Sequence, residues 1–468
     1  MKNFILFSIS LCLLQVIIKV NAQLSPSYRK LHSAVLVEKK LYIFGGFGEL
    51  NLSPENETNY NKNPDDRFFY LDVSTSFDTS NLPWRPIPDN VNNLPLGSLA
   101  SIVTGGVAAS IGGVKNETIF FFNNERDNAI KSDPPVHSYN SPNNVWNTQS
   151  FSGVRPIGRN QMRVVTDYSG KTYLLTGFDF TVQGVKRSDG LFVCDTINLN
   201  CAIKDASVFS RLGYGVTLLP NGNLVYMGGG DRTYIPVSNG FDLIFLYDPI
   251  KDRWDSKITT GNIPPKDVGI TTVLGLNGDK IILFGGFNGD NNDLYVLDTT
   301  SFEWYVPKVR GKGPVFKRGE HCANVIGKYM VVTFGSNGVV SSKYKDSGES
   351  DVLLLDISND SEYVWTNSFD PTLPATKSAS PEQLSSNPKT NISVIVGCVV
   401  GVILLIGIIS IVAFLFIKRR KNTNKAIPTP GGTDGIPSNA GIPSEQELSS
   451  RRRNEFRLAL EVSNPPDY

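Results

Sequence analysis

The chain has 468 residues, 40% of them hydrophobic and 10% aromatic, and its 45 Lys+Arg face 44 Asp+Glu for a formal net charge of +1. Without a basic excess to neutralise phosphates, nucleic acid is not the expected partner. Three His and five Cys leave no His-rich metal spacing, and neither a phosphate-binding loop nor a nucleophile-elbow sequence occurs.

The first element is an apolar run from Phe4 to Ile18, preceded by Lys2 and followed by the small-residue site Val20-Asn21-Ala22. It predicts a secretory signal peptide over residues 1–22 and a mature chain from Gln23. Against the alternative of an uncleaved anchor, Lys19 interrupts the run before it reaches spanning length.

Six similar stretches follow. "LYIFGGF" (from Leu41) leads to Trp84, "TIFFFNNE" (from Thr118) to Trp146, and "TYLLTGFD" (from Thr172) to Cys201. "LVYMGGGD" (from Leu224) leads to Trp254, "IILFGGFN" (from Ile281) to Trp304, and "MVVTFGSN" (from Met330) to Trp365. All five Trp of the chain fall in this one slot. The glycine slots, counted from residues 45, 123, 176, 228, 285 and 335, recur at intervals of 78, 53, 52, 57 and 50. Asn123-Asn124 stands in the second slot, where Asn tolerates positive φ better than most residues. An apolar run and a turn precede each slot, so every copy reads as four short antiparallel strands. The 48–66 segment is an insertion between the second and third strands of the first copy.

The diglycine after strand two, the Tyr/Leu–Asp of strand three and the Trp of strand four resemble the kelch repeat, over about Tyr28 to Phe369. The resemblance implies an all-β, six-bladed kelch β-propeller across residues 23–369, of the galactose-oxidase-like type. Its expected role is a binding module, with the loops after strands two and four sharing one face. A basic residue precedes strand one in five copies: Arg29, Arg159, Arg211, Lys266 and Arg318. Two readings are open: a collar that holds carboxylate or sulfate groups of a ligand, or side chains that bond the propeller's own backbone and carboxylates. Galactose oxidase itself implies copper held by two His and two Tyr. His32 and His321 share a repeat slot and His137 lies on a third strand, with no Tyr–His pair of that kind, so no cofactor and no catalytic residue are expected. Asp290, Asn291, Asn292 and Asp293 fit turn chemistry better than calcium binding.

The oxidising exterior that a signal peptide implies makes a Cys194–Cys201 disulfide the expectation for "CDTINLNC", with Cys322 left over as a buried small residue. Asn-x-Ser/Thr sites stand at Asn51, Asn56, Asn116, Asn359 and Asn391. The first four are expected glycan sites if they lie in loops.

Residues 370–390 are rich in Pro, Ser and Thr and read as a flexible stalk. Val394 to Ile417 is an uncharged apolar run of 24 residues, followed by Lys418-Arg419-Arg420-Lys421. That predicts one transmembrane helix over 394–417 with residues 418–468 inside, a single-pass type I topology at the plasma membrane or a secretory-pathway membrane. The tail holds nine basic and six acidic residues, which leaves residues 23–417 mildly acidic at −4. Gly397 and Gly401 form a GxxxG pair suited to a homodimer. The tail reads as disordered and ends in Pro465-Pro466-x-Tyr468, a PPxY ligand of WW-domain proteins, with Lys418, Lys421 and Lys425 within reach of a recruited ligase. The expected function is a cell-surface glycoprotein that recognises a protein or glycan. The alternatives are a copper oxidase of sugars, a purely structural surface protein, or a trafficking adaptor acting through the tail.

Overall fold

A computed structural model describes residues 24–46, 68–87, 106–122, 136–154, 159–160, 163–175, 178–179, 190–206, 211–231, 233–288, 294–336 and 348–372. The chain divides into two units, Met1–Leu384 and Ser385–Tyr468, and every described residue belongs to the first. The signal-peptide, membrane-helix and tail segments, with Gly397, Gly401, Pro465, Pro466 and Tyr468, lie outside the described residues. No helix among the described residues is long and apolar enough to cross a membrane.

Six antiparallel four-stranded meanders follow one another along the chain and form the blades of a propeller. Blade 1 uses Ser33–Val37, Lys40–Phe44, Phe68–Asp72 and Trp84–Pro86. Blade 2 uses Ala108–Gly112, Thr118–Phe122, Val136–Asn140 and Val145–Gln149. Blade 3 uses Val164–Thr166, Lys171–Leu175, Leu191–Asp195 and Asn200–Lys204. Blade 4 uses Gly215–Leu218, Leu224–Met227, Leu243–Asp248 and Arg253–Ile258. Blade 5 uses Thr271–Leu274, Lys280–Phe284, Leu294–Asp298 and Glu303–Tyr305. Blade 6 uses Cys322–Ile326, Tyr329–Thr333, Val352–Asp356 and Tyr363–Thr366.

Local chemistry sets the turns. Asp72, Asp195, Asp248, Asp298 and Asp356 end third strands, and each accepts backbone N–H groups two or three residues on, an Asx turn that reverses the chain into strand four. The second strands are almost wholly apolar because both of their faces are covered by neighbouring blades. Six apolar clusters result, one in each gap of the ring. In four blades the Trp packs on the blade before it: Trp146 against Phe44 and Phe68, Trp304 against Phe241, Trp365 against Phe284, and Trp84 stacked on Phe334. In blade 3 the Trp slot holds Cys201, disulfide-bonded to Cys194 directly across the strand pair.

Connections out of three blades add a short fifth strand to the next. Ser152–Gly153, Thr260–Gly261 and Val309–Arg310 pair in parallel with the outer strands of blades 3, 5 and 6. The ring closes differently. Ser368–Phe369, following the last strand of blade 6, pairs antiparallel with Phe77–Asp78 of blade 1, and Phe369 stacks on Phe77 at 4.7 Å. Each blade is therefore built from contiguous chain, and the apolar cluster between blades 6 and 1 seals the seam.

Register corrects one repeat. The residue after strand two is Gly45 in blade 1 and Gly228 in blade 4, but in blade 6 it is Phe334, held at φ +48. The sixth slot is thus Phe334-Gly335 rather than Gly335-Ser336. An aromatic tolerates the left-handed conformation here because it is fully buried between Trp84 and His32.

Candidate functional site

The central channel opens where the first strands begin. Two residues before those strands, the backbone turns left-handed in every blade where the position is described: Leu31, Gly106, Gly213, Gly269 and Glu320, with φ from 54 to 86°. Their backbones link neighbouring blades. Leu31 N–H donates to Glu320 C=O, Gly106 to Leu31, Gly269 to Gly213 and Glu320 to Gly269, at 2.8–3.0 Å. Among the described residues the mouth of the channel is therefore framed by a run of main-chain hydrogen bonds through blades 2, 1, 6, 5 and 4, which satisfies polar groups that a buried turn would otherwise strand.

Two residues earlier stand the arginines of the collar. Arg29 donates to Gly45 C=O at 3.1 Å, Arg211 to Gly228 C=O at 2.8 Å, and Arg318 to Phe334 C=O at 3.4 Å. Each clamps the carbonyl at the end of its own blade's second strand. Arg29 also lies over the Phe69 ring at 4.5 Å, and Arg318 bonds the Glu349 carboxylate at 3.0 Å and Ser350 C=O at 2.6 Å. At 5%, 1% and 0% exposure, none of the three presents a guanidinium to a ligand. Burial pulls the Arg211 pKa down to about 10. Arg159 enters a two-residue strand whose partners are Phe178–Asp179, with its backbone opposite Asp179.

Lys266 does not belong to this set. By strand register the blade 5 position is Asp267, four residues before Thr271 as Arg29 is before Ser33. Lys266 is exposed and its ammonium donates to Ser238 C=O. The buried Asp267 inverts the arginine chemistry: its Oδ1 accepts N–H groups of Val268, Phe287 and Asn288 at 2.6, 2.8 and 3.0 Å. Where arginine holds a carbonyl, aspartate holds amides of the loop just beyond the diglycine.

The groups that do face the channel mouth come from other positions. Lys30 and Glu320 form an ion pair of 3.0 Å across the seam, and Tyr234 of blade 4 donates its hydroxyl to Glu320 at 2.6 Å. Arg163, at the start of blade 3, reaches the C=O groups of Ile270 and His321 at 3.3 Å. Arg163, Tyr234 and Glu320, together with His32, Ser33, Tyr214, Thr271 and Cys322, line a cavity of about 280 Å³ bounded by the first strands of all six blades. A second cleft, of about 700 Å³, runs along the outer seam beside Trp84, Pro314 and Trp365.

The three His do not converge. His32 bonds Thr333 Oγ1 at 2.9 Å across the seam, His321 bonds Thr271 Oγ1 at 2.6 Å between blades 5 and 6, and His137 meets Thr148 within blade 2. Burial first, then the nearby Arg29 and Arg163 charges, hold the His32 pKa well below 6.5. Burial and the Arg163 and Arg318 charges do the same at His321. Burial raises the Cys322 thiol. Among the described residues no cluster of His, Cys, Asp and Glu is arranged to hold a metal. Asn116 and Asn359 are exposed in turns at the end of the blades opposite the mouth, whereas Asn51, Asn56 and the 290–293 turn lie outside the described residues.

Sequence reasoning had no means of seeing Arg163 or Glu320. Glu320 sits two positions and Arg163 four from the basic slot of its own repeat, and only the strand register gives them the channel.

Comparisons with known proteins agree with this architecture. Residues 213–398 match the family model described as the KLHDC2/KLHL20/DRC7 Kelch-repeats domain. The chain is 28% identical over 144 residues to the Rho GTPase-activating protein gacHH of Dictyostelium discoideum, covering 30% of this chain and 9% of that protein. It is 28% identical over 221 residues to Host cell factor 1 of Rattus norvegicus, covering 43% of this chain and 10% of that one. The chain thus spans about a tenth of the length of these relatives. The solved structure of YjhT superposes with a TM-score of 0.50 at 12% identity, covering 73% of this chain and 99% of its own, which shows a shared fold.

Proposed function

We propose, from the premise that residues 24–372 form a six-bladed kelch-repeat propeller, that the protein is a cell-surface recognition module carried by a single membrane span. Kelch propellers are protein-interaction modules, and the architecture supports the same use here. The observation that carries the reading is the channel mouth, where Arg163, Tyr234 and Glu320 from three different blades line one cavity and Lys30 of a fourth is paired to Glu320. Such a frame presents its rim and the loops leaving it without reorganisation, which lowers the entropic cost of binding. Arg29, Arg211 and Arg318 contribute rigidity rather than contacts, because each is buried and bonded to a carbonyl of its own blade.

The signal peptide, the 394–417 run and the basic residues after it support a type I orientation with the propeller outside. Exposed sequons at Asn116 and Asn359 fit glycans on the face away from the mouth, which would direct partners to the mouth face. Pairing through Gly397 and Gly401 and recruitment of a WW-domain protein by Pro465, Pro466 and Tyr468 are part of the same proposal.

Two measurements test it. Intact cells expressing the full chain should be labelled on the propeller by a membrane-impermeant reagent, and glycosidase treatment should shift its mobility; a chain protected from both would sink the surface reading. Cross-linking on such cells should then recover an extracellular partner with the native chain and lose it with Lys30→Glu. Equal recovery from the variant would move recognition away from the mouth.

A further inference from the structure

Reckoned from the register with the second strands, six equivalent positions open the first strands: Ser33, Ala108, Arg163, Gly215, Thr271 and Cys322. Five are small and one is an arginine. Arg163 leaves blade 3 and crosses the channel to carbonyls of blades 5 and 6, with the Cys322 thiol beside it. Its contacts of 3.3 Å are at the long end of hydrogen-bonding range, and they supply dipoles without a counter-charge.

Among the described residues no carboxylate pairs with Arg163. Glu320, which lines the same cavity, is already taken by Lys30 and Tyr234. The other arginine near His321, Arg318, has Glu349 as its partner. Arg163 is therefore a half-buried cation without a carboxylate partner among the described residues, lining a cavity of about 280 Å³ with room for a small anion and part of its hydration shell. A guanidinium matches planar or tetrahedral oxyanions through paired N–H donors, and partial burial strengthens that attraction relative to bulk water.

We propose that the channel mouth is a site for one small oxyanion, a carboxylate or an inorganic sulfate or phosphate, bound against the Arg163 guanidinium. The site shares Arg163 with the mouth proposed above for recognition, and anion binding is read here without a macromolecular partner. Its occupant would neutralise the one charge that the six-fold pattern of small residues leaves uncompensated. It would also sit beside Cys322, whose thiol then reports on occupancy.

The experiment uses the full-length chain at fixed ionic strength and neutral pH, titrated separately with sulfate, phosphate and acetate. Binding is followed by calorimetry and by thermal midpoint, and access to Cys322 by maleimide labelling read peptide by peptide. Saturable stabilisation and slowed Cys322 labelling with at least one probe are expected, and the responding probes identify the anion class. Arg163→Met should weaken that response by roughly tenfold or more, as expected for loss of a charge-assisted hydrogen bond. Arg163→Lys should fall between the two, because it keeps the charge and loses the fork. No saturable response to any of the three anions, or an equal response in Arg163→Met, overturns the proposal. Should Arg163→Met fail to fold, the native chain decides: Cys322 protected by an anion upholds the site, and Cys322 labelled at an unchanged rate overturns it.

Discussion

At Gly153, Gly261 and Gly311 a Cβ would stand 2.1, 2.3 and 2.1 Å from a carbonyl oxygen of the adjoining outer strand, at φ near +80°. Gly222 has a similar φ of +86° with nothing within 4 Å. The pair separates two costs. Gly222→Ala should lose only the left-handed penalty, about 1 kcal/mol, whereas Gly311→Ala adds a backbone clash and should lose about 2–4 kcal/mol. Denaturant midpoints at constant slope measure both, and equal losses would mean that the fifth strand simply moves aside. The buried histidines give a second residue-scale expectation. His32 and His321 have folded-state pKa values below the ordinary 6.5, so below that pH the unfolded chain takes up protons that the folded chain refuses. Stability is therefore full above about pH 6.5 and declines as pH falls, by up to about 1.4 kcal/mol per pH unit for each histidine. Thermal midpoints from pH 7.5 to 5 should show this slope, and His321→Asn should flatten it even if it lowers the whole curve. What sequence conveyed at this scale was residue type. The basic slot was visible, but its burial against Gly45 C=O or Gly228 C=O depends on the closed blade. Lys266 and Asp267 are adjacent, and only the Thr271 register decides which of them holds the position.

The element most legible in the sequence was the blade itself. Diglycine, Asx turn and Trp are local signals at fixed order, and each occupies the strand or turn that its chemistry requires. Fifth strands were illegible because two paired residues have no periodicity. Their one trace is the spacing Gly153-x-x-Pro156, Gly261-x-x-Pro264 and Gly311-x-x-Pro314, where a left-handed glycine is followed by a residue that cannot extend a ladder. The Trp slot also carries an energetic distinction. Trp304 is 1% exposed and packs into the blade 4–5 gap, so Trp304→Ala should cost about 3–5 kcal/mol. Trp254 is only half-buried and rests its indole N–H on Asp205 C=O at 2.8 Å. Its replacement by Ala should cost clearly less, and chemical denaturation of the two variants side by side checks the order.

Closure of the ring belongs to the whole molecule, and no single repeat encodes it. Six contiguous blades leave one seam, which is joined by the Phe369–Phe77 stack, by Gly335 N–H on Arg29 C=O at 3.1 Å and by Leu31 N–H on Glu320 C=O at 3.0 Å. Phe77 and Phe369 read as ordinary loop aromatics in sequence, since nearly 300 residues separate them. Phe369→Ala removes contacts with Phe77 and with Tyr329, whose ring centroid is 5.1 Å away, and should cost about 3 kcal/mol. Hydrogen exchange should then quicken first at Thr79, Leu31 and Gly335, while the Leu224–Met227 strand of blade 4 stays protected. Uniform acceleration would mean that the six blades open as one cooperative unit.

The same clasp decides how the molecule bears load. Residues 370–372, the last described, follow directly on the two-residue pair of Ser368–Phe369 with Phe77–Asp78. Tension from the C-terminal side enters at Phe369 and is met by few hydrogen bonds, the Phe77 stack and the Tyr329 ring, before it reaches the four-stranded sheet of blade 6. The seam is thus the expected mechanical fuse of the propeller: a pull from the C-terminal side should peel the clasp beside the 700 Å³ cleft before any of the other five blade interfaces opens.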